Sequence, residues 1–108
     1  MGAKRAVLGG LVVTASQFTL HGARDSYLDI PFESVEGHEK AVKYLRSVRS
    51  VRIWRLPKDL GIKPGLRILV SVKPTGGAGF SFHYVRTLDP NEDVDQAIEK
   101  LLVVNTNP

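Results

Sequence analysis

The chain has no cysteine in 108 residues, which excludes a disulfide framework, a thiol nucleophile and any cysteine-based zinc site. Metal-binding histidine spacings such as H-x-x-x-H and H-E-x-x-H are also missing, because His21, His38 and His83 stand far apart. No apolar run approaches the roughly 20 residues that a membrane-spanning helix requires. The apolar stretch after Lys4 and Arg5 is interrupted by Gly9 and Gly10 and leads to no clear cleavage site, so no signal peptide is expected. Internal repeats and low-complexity tracts are absent. The lack of cysteine leaves the redox compartment open, and a cytoplasmic protein is the expectation.

What is present is ordinary for a globular chain. Apolar residues make up 43% and charged residues 24%, enough for one core-forming domain over residues 1–108 without metal or disulfide staples. Flexibility is expected only at residues 1–4 and 105–108. The unusual feature is the distribution of charge. A basic residue recurs at every third position from Lys40 through Lys43, Arg46, Arg49, Arg52 and Arg55 to Lys58, with no acidic residue between them and the single tryptophan, Trp54, inside the run. Residues 40–73 hold ten basic residues against Asp59 alone, a net charge of +9, while the rest of the chain is net −5. Such segregation bears on partners and encounter rates rather than on fold.

Periodicity supplies the elements. Arg5 to Thr14 and Phe18 to Gly22 read as strands joined at Ala15-Ser16-Gln17. Tyr27 to Phe32 alternates as a third strand, and Pro31, which has no amide hydrogen to donate, predicts that this strand is an edge or ends there. From about Glu36 to Val48 the period becomes helical, with Ala41, Leu45 and Val48 on one stripe and Ser34 as the expected cap. Val51 to Leu56 returns to strand, Pro57 to Gly65 is a loop, and Leu66 to Lys73 pairs with Phe80 to Arg86 across a glycine-rich turn. In the closing helix Asp89 is the expected N-cap, Pro90 the first helical residue, Glu92 the capping-box partner, and Val94, Ile98 and Leu101 the buried stripe.

A spacing of three does not make a straight stripe, since each step turns the side chain back by about 60° on an α-helix. The run is therefore one basic edge and not a flat palette. Arg52 is expected to share a strand face with Trp54, and Arg55 to lie on the opposite face with Val51 and Ile53. Two readings stay open. In one, long cationic stems simply cover the outside of a helix and a strand. In the other, Lys43, Arg46, Arg49, Arg52 and Arg55 contact phosphates and Trp54 stacks on a base of single-stranded DNA or RNA. Phe80, Phe82 and Tyr84 alternate on one face and either extend that platform or form core.

Enzyme chemistry has little support. The Gly76-Gly77-Ala78-Gly79 turn joins two strands and lacks the G-x-x-x-x-G-K-[ST] phosphate-loop pattern. Ser81 and His83 share a strand face, but no third group is indicated that would orient the histidine. No catalytic residue, metal or other cofactor is expected. The carboxylates cluster at Asp25 to Glu39, where they can pair with the basic run, and at Asp89 to Glu99, near the positive end of a helix dipole.

The layout resembles the pleckstrin-homology-like superfold, in its bacterial and archaeal form. The likeness is carried by Leu11-Val12-Val13-Thr14 and Phe18-Thr19-Leu20 as a first hairpin, Leu28-Asp29-Ile30-Pro31-Phe32-Glu33-Ser34-Val35 as the next strand, and Leu88-Asp89-Pro90 leading into a last amphipathic helix. It implies an α+β fold: a strongly bent antiparallel sheet of about six strands, plugged by the C-terminal helix, serving as a scaffold for lipid, peptide or protein binding. The helix near residues 38–48 is an addition to that plan. Because Ala15-Ser16-Gln17 is neutral, the basic first turn of phosphoinositide-binding members is not matched. A different α+β sheet with two packing helices fits the same elements. The expected function is a non-catalytic binding module for nucleic acid. The alternative is an adaptor or homo-oligomer that docks an acidic protein or a second copy of itself. Direct membrane binding ranks below both, since no helix joins a strong apolar face to a basic one.

Overall fold

The computed structural model describes residues 7–16, 27–57, 59–75, 77 and 79–106. Within them run β1 (Gly9–Ala15), β2 (Tyr27–Gly37), α1 (Glu39–Val48), β3 (Ser50–Trp54), β4 (Arg67–Pro74), β5 (Phe80–Leu88) and α2 (Val94–Thr106). The five strands close into a barrel in the order β1-β2-β3-β5-β4, with β4 pairing back onto β1. Neighbours are antiparallel except β3 and β5, which run parallel. The expected strand at Phe18 to Gly22, and with it the first hairpin and a sixth strand, lies outside the described residues.

Strand composition follows from which faces are covered. β1 and β4 read as nearly continuous apolar runs because both of their faces are buried. Leu11, Val13, Ile68, Val70 and Val72 point into the barrel, while Val12 and Leu69 point outward beneath Ala97 and Leu101 of α2. In β3 only the inner face is covered, so Val51 and Ile53 are buried and Arg52 and Trp54 face out. The α2 stripe thus packs on the outer wall of β1 and β4. The plug is α1 instead, whose Ala41, Val42 and Leu45 belong to the same core as the barrel interior. Opposite, the loop after β3 folds Leu56, Leu60, Ile62 and Leu66 onto the core, tied to Ala15 by hydrogen bonds from Ala15 N–H to Leu66 O at 2.8 Å and from Gly65 N–H to Ala15 O at 3.0 Å.

Several local expectations are corrected. β2 neither ends at Pro31 nor forms an edge: residues 27–31 pair with β3 and residues 32–37 with β1, so Pro31 sits where the strand changes partners. There Ala15 pairs with Phe32 and Thr14 with Ser34, leaving Glu33 as a bulge residue. The bulge shifts the phase, which is why Phe32 and Val35 are both inside and why simple alternation stops at Phe32. A strand lasting to Gly37 leaves Ser34 four residues too early to cap α1, and His38 does so, its Nδ1 accepting from Ala41 N–H at 3.4 Å. In α2 the cap is Asp93, whose Oδ1 accepts from Gln96 N–H at 3.0 Å. Asp89 and Glu92 do exchange hydrogen bonds, at 3.0 and 3.1 Å, but in the turn before the helix, and Pro90 lies in that turn. The helix runs through Asn105 to Thr106.

Two arginines hold this turn. Arg67 donates to the carbonyls of Asp89 and Glu92, at 2.8 and 3.0 Å. Arg86 forks onto the Glu92 carboxylate, Nη1 to Oε1 at 3.0 Å and Nη2 to Oε2. The Arg86 hydrogen bond, then the Asp89 N–H, hold the Glu92 carboxyl down from its ordinary 4.5 to about 2. A carboxyl lowered in the folded state stabilises fully above its ordinary value, and that contribution is lost as pH falls toward 2. In urea titrations the unfolding midpoint should therefore fall between pH 4.5 and 2, and E92Q should flatten the fall.

Gly37 tests the packing at the other end of the barrel. Its φ is +134°, and a Cβ there would stand 2.3 Å from Gly10 O. G37A should cost at least about 2 kcal/mol in urea unfolding, because strain and a backbone clash act together. A change below about 0.5 kcal/mol would show that the approach of β2 to β1 is loose.

Candidate nucleic-acid interface

The outer face of β2, β3, β5 and β4 carries the site. Cross-strand register places Tyr27 opposite Trp54, Trp54 opposite His83, and His83 opposite Ser71, so one row crosses four strands. A second row lies beside it, with Asp29 opposite Arg52 and Ser81 opposite Lys73. Trp54 and Tyr27 have ring centroids 4.5 Å apart at 48°, and the Arg52 guanidinium lies 4.4 Å from the Tyr27 centroid. The result is a continuous surface of π faces and cations.

Between this face and α1 runs an open groove of about 710 Å³, lined among others by Tyr44, Val48, Arg52, Trp54, Ser81 and His83. Tyr44 and Val48 form its helical wall and are 53% and 46% exposed, large side chains left uncovered by the fold. Trp54 is half-buried at the floor. The groove exists because the parallel seam spans only two residue pairs, Ile53 with Phe82 and Trp54 with His83, beyond which the start of β3 is not paired with β5.

The basic run divides among three places. Arg46 lies about 160° around α1 from Tyr44 and Lys43 about 100°, so both turn away from the groove. Lys43 and Arg46 border a depression shared with Glu36 and Glu39, and Arg49, at the left-handed C-cap, stands 5.7 Å over the Phe32 ring near Glu33. Arg52 and Trp54 share the groove as expected. Arg52 is taken, however, by a bidentate pair with Asp29 at 2.9 and 3.2 Å. That hydrogen-bonded pair lowers the Asp29 carboxyl and raises the Arg52 guanidinium. Arg55 does not join Val51 and Ile53 inside: β3 ends at Trp54, and Arg55 adopts a left-handed turn with φ 63° that leaves it exposed. Lys58 lies outside the described residues. Phe82 is buried, with Phe80 and Tyr84 packed against the same core, so this aromatic strand face is interior and not platform.

Residues that the basic run did not point to complete the site. His83 accepts from or donates to Ser81 Oγ at 3.2 Å, and burial first, then the charges of Lys73 and Arg55, hold its imidazole below the usual value. Tyr27 was foreshadowed by the alternation that set it beside Asp29 on the outward face. Tyr44 had no such signal, because helix periodicity gives its angle but not what stands across from it. Among the described residues no three His, Asp or Glu side chains gather closely enough to hold a metal ion, and no helix is long and apolar enough to cross a membrane. No protein-family model, curated protein or solved structure matches this chain, and the site is read from its geometry.

Trp54 reports directly on this surface. Iodide should quench its emission in the free protein, and D29N, which removes the charge opposing Arg52, should increase quenching while changing stability by less than about 1 kcal/mol, as for exposed ion pairs. Emission unaffected by iodide would place the ring in the core.

Proposed function

We propose that this domain is a non-catalytic binding module for single-stranded nucleic acid, with the outer face of β2, β3, β5 and β4 as its binding surface. The observation that carries the reading is the row of Tyr27, Trp54 and His83 at one level across three adjacent strands, with Lys73 and Arg55 close enough to act on His83. Strands lie about 4.8 Å apart, so side chains at one level present neighbouring surfaces to a strand laid across them. Exposed base faces stack on such rings for roughly 1–3 kcal/mol per base, and cations beside them neutralise phosphates. A duplex keeps its base faces stacked internally, which favours a single strand.

The architecture supports this placement by analogy only. Five-stranded Greek-key barrels include a widespread fold that binds oligonucleotides across its second and third strands, and β2 and β3 hold Tyr27, Arg52 and Trp54 here. The pleckstrin-homology-like likeness enters as a shared layout, a bent sheet with a packed helix, and the sixth strand and a cytoplasmic location belong to the same proposal. Support for a non-catalytic role comes from His83, whose ring, among the described residues, bonds Ser81 but no carboxylate.

Fluorescence anisotropy with labelled oligonucleotides over a salt series tests the proposal. A single strand contacting two or three phosphates should give a slope of log affinity against log salt of about −1.4 to −2.1. Replacing both Arg55 and Lys73 with alanine should bring that slope about 1.4 closer to zero. W54A should weaken binding by about 1–3 kcal/mol with the slope unchanged. Absence of binding at low salt would overturn the reading. If light scattering then showed a salt-resistant dimer, the groove would be assigned to a second copy of the chain.

A further inference from the structure

The cations of this chain differ in whether the fold already answers their charge. Arg52 is paired with Asp29 and Arg86 with Glu92. Arg67 is bound to carbonyls of the β5–α2 turn, and Lys43 and Arg46 border Glu36. Lys73 and Arg55 stand apart: among the described residues neither has an ion-pair partner. Both are near enough to His83 that their charges disfavour its protonation. Three groups able to carry positive charge thus converge around Ser81, a hydroxyl already aligned on His83.

Resting on the nucleic-acid reading, we propose that Lys73, Ser81, His83 and Arg55 form one phosphate-binding subsite, and that His83 takes up a proton as the phosphate seats. The fold supplies the positions. Lys73 faces Ser81 across the β4–β5 ladder, and His83 is opposite Trp54 across the parallel seam. Arg55 follows Trp54 in a left-handed turn that keeps its side chain off the inner face. That conformation costs a non-glycine residue about 1–2 kcal/mol, and at this place it holds a cation on the outer surface next to the stacking ring.

A phosphate oxygen can accept from the Lys73 ammonium, the Arg55 guanidinium and the Ser81 hydroxyl. In the free protein an imidazolium beside two cations is disfavoured. A seated phosphate reverses the sign of the local field, and protonated His83 then adds a charge-assisted hydrogen bond. The other groups facing the groove are Trp54 on β3, Tyr44 on α1 and the Asp29–Arg52 pair across β2 and β3. Asp29 is held ionised by Arg52, well below the range in which His83 titrates. A phosphodiester does not titrate there either, so the pH dependence of oligonucleotide binding reads His83.

The sign follows from linkage. Because the free imidazole lies below its usual value and the bound one above the free, affinity must rise as pH falls between the two. If binding raises it by one unit, an oligothymidylate binds up to about tenfold more tightly at pH 5.5 than at 7.5. H83Q should reduce that ratio to less than about twofold.

The direct measurement is NMR of the imidazole Cε1–Hε1 groups of the intact protein, with His83 assigned by its loss in H83Q. The titration is recorded alone, with inorganic phosphate against chloride at matched ionic strength, and with oligothymidylate. The His83 midpoint should move up by about one unit with either phosphate source, and K73M should diminish the movement. An unchanged midpoint under saturating oligonucleotide overturns the subsite while leaving Trp54-dependent binding intact. A midpoint that moves with inorganic phosphate although no oligonucleotide binds keeps the subsite for a free phosphate and overturns the nucleic-acid reading.

Discussion

The short parallel seam between β3 and β5 is the constraint from which the rest of the molecule follows. Closing five strands requires one junction that the chain cannot make by hairpins, and it falls between Ile53 and Phe82 on the inside and Trp54 and His83 on the outside. A parallel connection cannot be made by a tight turn. The chain therefore leaves β3, passes Leu56 to Leu66 over one end of the core, and enters β4 on the far side of β5. α1 fills the opposite end from within, since its buried stripe is too close in sequence to β2 and β3 to reach the outer wall. Ile53 and Phe82 give the seam its core, and the same register sets Trp54 beside His83. Stability and site thus depend on one two-pair junction.

Charge is arranged on this frame in a way that composition hides. A net +9 over residues 40–73 suggests a single cationic face, but a third-position repeat winds around a helix and then alternates along a strand. Half of it ends beside Glu33, Glu36 and Glu39 at the β2–α1 corner. Exposed pairs of that kind contribute about 0–1 kcal/mol, too little to explain the folding of the barrel. Their effect is to cancel field on that flank. What remains unopposed is small and local, Lys73 and Arg55 at the seam, and it stands where aromatic surface is also uncovered.

Much of the architecture was legible because local chemistry and tertiary packing agree. The stripe of Val94, Ile98 and Leu101 packs as periodicity predicts, and Arg52 and Trp54 share an outward face because β3 has one covered side. Where the reading failed, a long-range partner had overridden a local rule. Pro31 looked like a terminator, yet it lies where β2 passes from β3 to β1. Glu33 hid the rest of β2 by shifting its phase, and Arg55 left the expected face because the chain turns to cross the barrel. The candidate site was only half legible for the same reason. Trp54 and Arg52 are local, whereas Tyr27, Lys73 and His83 join them through pairings between residues 19 to 29 positions apart or, for Lys73, through a ladder across the glycine-rich turn.

The position of the groove is a consequence of how the barrel closes. Elsewhere, ladders of five or more pairs hold the strands together, and α2 covers the wall where Val12 and Leu69 face outward. At the seam the ladder is too short to bring α1 and β5 into contact along their lengths, so Tyr44 and Val48 remain exposed above Trp54. Covering them would take bulkier residues at Ser50 or Ser81, the small side chains that line this stretch. Serine at both positions keeps the groove open, and the hydroxyl of Ser81 makes its wall polar next to His83. A surface that left these rings exposed only for want of packing would gain nothing from unopposed cations beside them. Exposed rings, open volume and an unanswered positive field coincide at the weakest junction of the barrel, and that coincidence separates a binding surface from a packing defect.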